Sequence, residues 1–252
     1  MELQKGRKIF FVSDSHLGIP SYSESLFREK KLVKWLDTVR SEAAVIYLLG
    51  DIFEFWFEYQ TVVPKGFARL LGKLAEITDS GIPVFFFTGN HDLWTFGYLE
   101  QEIGLKIFNE PVGISCNGKS FLIGHGDGLG PGDLSYKIAK RAYNSRLLQR
   151  IFSYFHPGLG SKLVSLFTKK ERYSNRSDLQ AVVDPLNEKL VAYCNEILQS
   201  KHYDFFIFGH RHIPCDISLN GRARYINTGE WVNRFTYAVF DGNDMHLKTF
   251  NE

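Results

Sequence analysis

Cysteine is scarce in this sequence. Cys116, Cys194 and Cys215 are three among 252 residues, widely spaced and without a CxxC pair. An odd, scattered set excludes a disulfide scaffold and points to a reducing compartment. Long hydrophobic runs are also missing: the longest are strand-sized, and none approaches the roughly 18 apolar residues of a membrane span. The opening stretch, MELQKGRKIFFVSD, lacks the apolar run and small-residue cleavage site of a signal peptide. These absences together lead to the expectation of a cytoplasmic protein. There is no internal repeat and no low-complexity tract, and a content of 44% hydrophobic and 15% aromatic residues is that of a globular chain with a sizeable core. Acidic residues are absent from one segment: Leu134 to Lys170 holds eight of the 30 Lys and Arg residues and no Asp or Glu. Such a segment suits an anionic partner, whether a phosphate, a nucleic acid or an anionic membrane surface.

What is present begins with strand and helix patterns in alternation. Lys8–Val12 (KIFFV), Ala44–Leu49 (AVIYLL) and Pro83–Phe87 (PVFFF) read as buried strands. Between them, Glu24–Arg40 and Pro64–Thr78 have helical spacing, the second with Pro near its first turn. This order predicts parallel strands joined by right-handed crossovers. The second half differs. Val112–Cys116 and Ser120–Gly124 flank Asn117-Gly118 as a hairpin. Residues from Asp133 to Lys170 read as two or more helices broken near His156-Pro157-Gly158. A further helix is expected at Asn187–Gln199, then strands at Asp204–Phe208, Ala223–Asn227, Thr236–Phe240 and Met245–Thr249. The stretch 133–184 reads as a helical insertion within one domain covering 1–252.

Five polar clusters each follow an apolar strand: Asp14-Ser15-His16, Gly50-Asp51, Gly89-Asn90-His91-Asp92, Gly124-His125 and Gly209-His210-Arg211-His212. Taken singly, an Asp or Asn after a strand is most simply a turn residue, and a lone His most simply a surface group. Taken together they supply carboxylate, imidazole and amide donors without a thiolate, a set suited to Mn²⁺, Fe²⁺ or Zn²⁺. In parallel sheets ligands gather beyond the C-terminal strand ends. Asp14 with His16, and His210 with His212, are spaced to lie on one side of an extended segment, although the turn must splay the second pair toward different metals. Asp14, His16, Asp51, Asn90, His125, His210 and His212 are too many donors for one zinc and about right for two metals sharing a carboxylate. His91 is placed to reach a phosphate oxygen or protonate a leaving group. Asp92 is placed to orient a neighbouring histidine through its second N–H.

The ordered set D-x-H, G-D, G-N-H-D, G-H and G-H-x-H resembles the calcineurin-like metallophosphoesterases over about residues 8 to 240. The resemblance implies an α/β fold, a four-layer α/β/β/α sandwich with a helical insertion, and a dinuclear centre. In it Asp14, His16 and His212 hold one metal, Asn90, His125 and His210 the other, and Asp51 bridges them. Within that superfamily SDSHLG (13–18), LGDIFEFW (49–56), PVFFFTGNHD (83–92), HGDGLGPGD (125–133) and GHRHIP (209–214) are similar to the UDP-2,3-diacylglucosamine hydrolases of lipid A synthesis. The reaction this implies is attack of a metal-activated hydroxide on the α-phosphorus of the acylated UDP-sugar, releasing UMP and 2,3-diacylglucosamine 1-phosphate. Two divalent ions, Mn²⁺ foremost, are the implied cofactors, and the insertion is implied to be a lid over the acylated sugar. The chain departs from the best-known members by carrying His91 in place of Arg, and by the loop FEYQTVVPKG after Trp56.

The insertion's own chemistry suits a lipid. Leu147, Leu148, Ile151, Phe152, Tyr154 and Phe155 form an apolar strip interspersed with Arg146, Arg150 and other cations. Acyl chains on one side and anionic headgroups on the other are the expected partners, with peripheral contact at the cytoplasmic face of the inner membrane. Asn90, His91, Asp133, Tyr136, Arg141, Arg146, Lys169 and Arg172 are candidates to bind substrate. A nucleic-acid module is not expected, because the aromatics cluster with aliphatics instead of standing as separate stacking platforms. No obligate protein partner is expected either. The competing reading is another phosphoesterase, acting on a non-lipid ester.

Overall fold

The computed structural model describes residues 1–132, 134–158 and 188–251. The chain divides into two compact units, Met1–Asp127 with Ile197–Glu252, and Gly128–Glu196. In chain order the first half runs β1 (Lys8–Val12), α1 (Tyr22–Arg40), β2 (Ala43–Leu48), α2 (Ala68–Asp79), β3 (Val84–Phe87), α3 (Tyr98–Gln101), β4 (Lys106–Phe108), β5 (Val112–Cys116) and β6 (Lys119–Ile123). Then come α4 (Leu134–Tyr143), α5 (Arg146–Ser153), a helix at Lys189–Leu198, and β7 (Phe205–Phe208), β8 (Cys215–Leu219), β9 (Ala223–Asn227), β10 (Thr236–Phe240) and β11 (Met245–Thr249).

One sheet has the order β11-β10-β1-β2-β3-β4 and the other β5-β6-β7-β9-β8. As the helical crossovers require, β1 to β4 are parallel, with Phe10 opposite Ile46 and Ile46 opposite Val84. β10 adds antiparallel to β1, so the C-terminal strands are shared between the two sheets. In the second sheet β6, β7 and β9 are parallel, and the edge strands β5 and β8 are antiparallel to their neighbours.

The period-two geometry of a strand explains why these runs are apolar throughout. Phe10 and Val12 face a core built with Leu32, Trp35 and Leu36 of α1 and Leu70, Leu74 and Ile77 of α2. Ile9 and Phe11 face the opposite way, into a core shared with Phe121, Ile123, Phe205, Ile207 and Ile226 of the other sheet. Each such side chain contributes roughly 1.5–3 kcal/mol when fully buried. The outer face of the second sheet is buried as well, at Phe206, Phe208 and Tyr225. The architecture is the expected four-layer α/β/β/α sandwich.

Helix α1 begins at an N-cap serine: Ser21 accepts from the Glu24 amide at 3.3 Å, and its hydroxyl donates to the Glu24 carboxylate. Helix α2 departs from the expected start at Pro64. Gly66 and Phe67 have φ of 110° and 58°, so the chain is left-handed until Ala68. The loop before α2 therefore includes Pro64, which does not stand in a first helical turn. Within Gly128–Glu196, α4 and α5 are separated at Asn144-Ser145, and α5 ends at Ser153, so that the helical run is also broken near His156 as expected. Lys137 Nζ donates to Gly130 O at 2.6 Å, tying α4 to the turn before it. Leu134, Leu147 and Tyr154 are 72%, 68% and 80% exposed. Among the described residues no helix is long and apolar enough to cross a membrane.

Candidate metal centre

All five donor clusters lie just beyond the C-terminal ends of β1, β2, β3, β6 and β7. The loops continue to pair after the strands stop: Asp14 N–H donates to Gly50 O and His16 N–H to Asp51 O, each at 3.0 Å, and Gly209 N–H to His125 O at 2.9 Å. Five donors occupy left-handed backbone, with φ of 54° at Asp14, 42° at His16, 52° at Asp51, 67° at His210 and 56° at His212. Such a residue costs roughly 1–3 kcal/mol and persists only where its surroundings over-determine it. Here glycine makes the necessary room. A Cβ on Gly209 would lie 2.5 Å from Asp14 Oδ2, and one on Gly50 would lie 2.6 Å from His125 Nδ1.

Among the described residues three groups of potential ligands converge; one, His16 with Glu54 and His91, lies beside the other two. Of those two, Asp14, His16, Asp51 and His212 form one, and Asp51, His125 and His210 the other. Asp51 belongs to both. His212 Nε2 stands 3.0 Å from Asp14 Oδ1, and His125 Nε2 stands 3.4 Å from Asp51 Oδ2. His16 Nε2 lies 3.8 Å from Asp51 Oδ2 and 3.9 Å from Asp14 Oδ1. His210 and His212 are indeed splayed: their rings pack against His125 and His16 respectively, at centroid separations of 5.1 and 4.9 Å. Asn90 sits between Gly89 and His91, whose amide donates to Asp51 Oδ1 at 3.0 Å.

Asn90 Oδ1 is buried without a hydrogen-bond partner, and Asp14 Oδ1 and His125 Nε2 are buried with ion-pair contacts to His212 and Asp51 in place of hydrogen bonds. A buried polar atom left unpaired costs about 1–3 kcal/mol, and an orphaned amide oxygen beside buried carboxylates and imidazoles fits a site made for cations. The electrostatics agree. Burial opposes ionisation of Asp51, yet His125 and His91 hold its carboxyl well below the usual range. Burial likewise opposes a charge on His125, but Asp51 pushes it up to about 10. His212 is raised by Asp14 against the effect of burial. Burial and then the neighbouring His125 bring His210 down to about 4. Ionised carboxylates here recruit protons onto histidines, and divalent ions binding to the same atoms displace those protons. The clustered His and Asp donors thus form candidate sites for two divalent metals.

The surroundings correct one expectation. Asp92 orients backbone and not a histidine: its Oδ1 accepts from Gly89 and Asp51 N–H at 2.8 and 3.1 Å, and its Oδ2 from Ile52 and Phe53 N–H at 2.8 and 3.3 Å. It is fully buried and locks the β3 loop onto the β2 loop. The histidine partner is Glu54, absent from the sequence reading, whose Oε2 lies 2.9 Å from His16 Nδ1. A single carboxylate within the apolar run IFEFWF was the signal for it, because a charge among apolar neighbours needs a partner. Arg28 was also missed. It is buried on α1 and donates to Ser15 O at 3.1 Å, to His16 O at 2.9 Å and to Ile19 O.

His91 Nδ1 lies 3.0 Å from Glu54 O, and its ring is edge-on to that of His16 at 4.8 Å. Tyr136 and Arg141 lie on α4, and Arg146 is the first residue of α5, with both arginines exposed. Asp133, Lys169 and Arg172 lie outside the described residues.

Comparison with known proteins gives the same picture as the geometry. The Calcineurin-like phosphoesterase family model matches residues 7–214. The UDP-2,3-diacylglucosamine hydrolase of Porphyromonas gingivalis is 35% identical over 97% of this chain and 98% of its own length. Hydrolases of the same name from Ectopseudomonas mendocina and Vibrio cholerae are 27% and 24% identical, over 96% and 91% of this chain and 98% and 93% of theirs. With the sandwich, the shared carboxylate and the family match in agreement, the chain belongs to the calcineurin-like phosphoesterases, a family of metal-dependent hydrolases.

Proposed function

We propose that the protein hydrolyses the pyrophosphate bond of UDP-2,3-diacylglucosamine, giving UMP and 2,3-diacylglucosamine 1-phosphate. The observation that carries this reading is the end-to-end match to the Porphyromonas gingivalis hydrolase. In this proposal Asp14, His16 and His212 hold one divalent ion, Asn90, His125 and His210 hold a second, and Asp51 is shared. Mn²⁺ is the proposed ion. When bound, such a pair supplies a water of lowered pKa and neutralises charge on a phosphoryl centre.

The chain's own residues do the remainder. Buried Asp14 and Asp51 present charge where water is largely excluded, which strengthens their hold on cations. His91 Nδ1 facing the Glu54 carbonyl leaves Nε2 to contact a phosphate oxygen or to protonate the departing sugar phosphate. Tyr136, Arg141 and Arg146, with Asp133, Lys169 and Arg172, are proposed to bind the diphosphate, nucleotide and sugar. The exposed apolar residues of α4 and α5 are proposed to take acyl chains and to rest on the anionic cytoplasmic face of the inner membrane, as a lid spanning 133–184.

Phosphorus NMR of the Mn²⁺-loaded protein with UDP-2,3-diacylglucosamine in ¹⁸O-labelled water tests the proposal. ¹⁸O in the UMP establishes both the bond cleaved and attack at the α-phosphorus. Absence of turnover, with simple phosphodiesters still hydrolysed, replaces this substrate with a non-lipid ester.

A further inference from the structure

We propose that Glu54 is a positioning residue that sets the tautomer of His16 through its carboxylate and that of His91 through its backbone carbonyl, so that one residue prepares a metal ligand and a phosphate-facing group together. The inference rests on the functional reading above for the roles of the two histidines. Its geometry is independent of any substrate.

Glu54 Oε2 is 2.9 Å from His16 Nδ1. An imidazole that donates its Nδ1–H to a carboxylate keeps a lone pair on Nε2, and Nε2 is the atom that faces the donor group, 3.1 Å from His212 Nε2 and 3.8 and 3.9 Å from the Asp51 and Asp14 carboxylates. The carbonyl oxygen of the same residue is 3.0 Å from His91 Nδ1, so His91 receives the same tautomer from a group that carries no charge. The carboxylate is also 3.6 Å from His91 Nδ1 and stands beside both rings. Glu54 itself is rigid. It is only 7% exposed, its N–H donates to Leu17 O at 2.9 Å, and Leu17 forms a bridge with Phe53. The β1 loop that carries His16 is thus fastened to the segment that orients its ring. In this chain a histidine follows Asn90, and a carbonyl acceptor is already in place for it.

The side chain and the backbone carbonyl make separable predictions. Glu54→Ala removes the acceptor for His16 and leaves the one for His91. Glu54→Gln keeps an oxygen acceptor for His16 without the charge. Titration with Mn²⁺ in the absence of substrate, followed by calorimetry, is expected to show Glu54→Ala losing roughly 10–100-fold in affinity at one of two sites, with Glu54→Gln closer to the parent. Equal affinities in all three proteins overturn the proposal, whatever the substrate proves to be. A test that needs no variant is long-range ¹⁵N–¹H correlation of the metal-free protein's histidines. Nδ1–H on both His16 and His91 is expected, and Nε2–H on His16 overturns the assignment even where Glu54→Ala fails to fold. Failure of the parent protein to cleave the acylated UDP-sugar rejects the functional reading and leaves these metal and tautomer results standing.

Discussion

Asp51 is shared by two donor groups, and its replacement is expected to be the most damaging of any single change. Asp51→Ala should abolish hydrolysis and empty at least one metal position, as metal analysis of the purified variant will read. His91→Ala should keep both ions and lower kcat by about 10²–10⁴-fold, the range for a lost general acid. Loss of an ion from that variant would move His91 into the ligand set. Asp92 supplies a pH prediction. Burial and then the charge of Asp51 push its carboxyl from 3.8 up to about 7. A raised carboxyl binds its proton more tightly in the folded state. Its contribution to stability in the metal-free protein is therefore full below pH 3.8 and lost as pH rises through about 7. Cations on Asp51 remove one cause of the shift, so the ¹³C-detected titration of Asp92 should move to lower pH on metal addition. The donors themselves were legible in the sequence because their types and order are rare together. Glu54 and Arg28 were not, since each acts on atoms brought near only by the fold, and Arg28 binds backbone carbonyls that carry no sequence signal.

Strand ends carry the donors, and glycines decide how closely the loops approach. A Cβ on Gly89 would overlap Asp51 Oδ1 and lie 2.7 Å from the Asp51 amide nitrogen. Gly89→Ala should leave circular dichroism unchanged while displacing the shared carboxylate. A misplacement of about 1 Å is enough for a loss near 10²-fold in activity. At this scale β1, β9, β10 and β11 were legible to the residue, because each is an apolar or alternating run with clear turn residues around it. β4 and β8 were not. Lys106–Phe108 is three residues long, and Cys215–Leu219, although CDISL alternates, is a short edge strand that follows directly on the polar GHRHIP turn. Helix α2 begins four residues after Pro64 because the left-handed Phe67 interrupts the helix that proline otherwise favours.

For the whole molecule, the sequence disclosed the α/β class through the alternation of strands and helices. It did not disclose how the C-terminal strands are shared between sheets, since β10 pairs with β1 across more than 200 residues and no local pattern encodes that distance. The proposed lipid role makes a prediction here. Leu147→Glu with Ile151→Glu alters side chains 68% and 47% exposed, and exposed substitutions usually change stability by less than about 0.5 kcal/mol. Turnover of the diacylated substrate should fall at least about 10-fold, near the loss expected for removing two apolar contacts. Hydrolysis of a small artificial ester should be unchanged, and equal losses on both would assign these residues a structural role.

The donors come from both sheets: Asp14, His16, Asp51 and Asn90 follow strands of one, and His125, His210 and His212 follow strands of the other. Ions bridging them rivet the two layers at one rim, while the opposite rim is joined by packing and by hydrogen bonds, Asn117 Nδ2 to Gly242 O at 2.9 Å and Arg224 Nη2 to Met245 O at 2.8 Å. Chelation is then a mechanical event. With the rivet drawn, that rim keeps only hydrogen bonds such as Ser13 to Thr228 at 2.6 Å and His210 N–H to Asp14 at 2.9 Å, and pulling across it should need less force in the metal-free protein than in the loaded one.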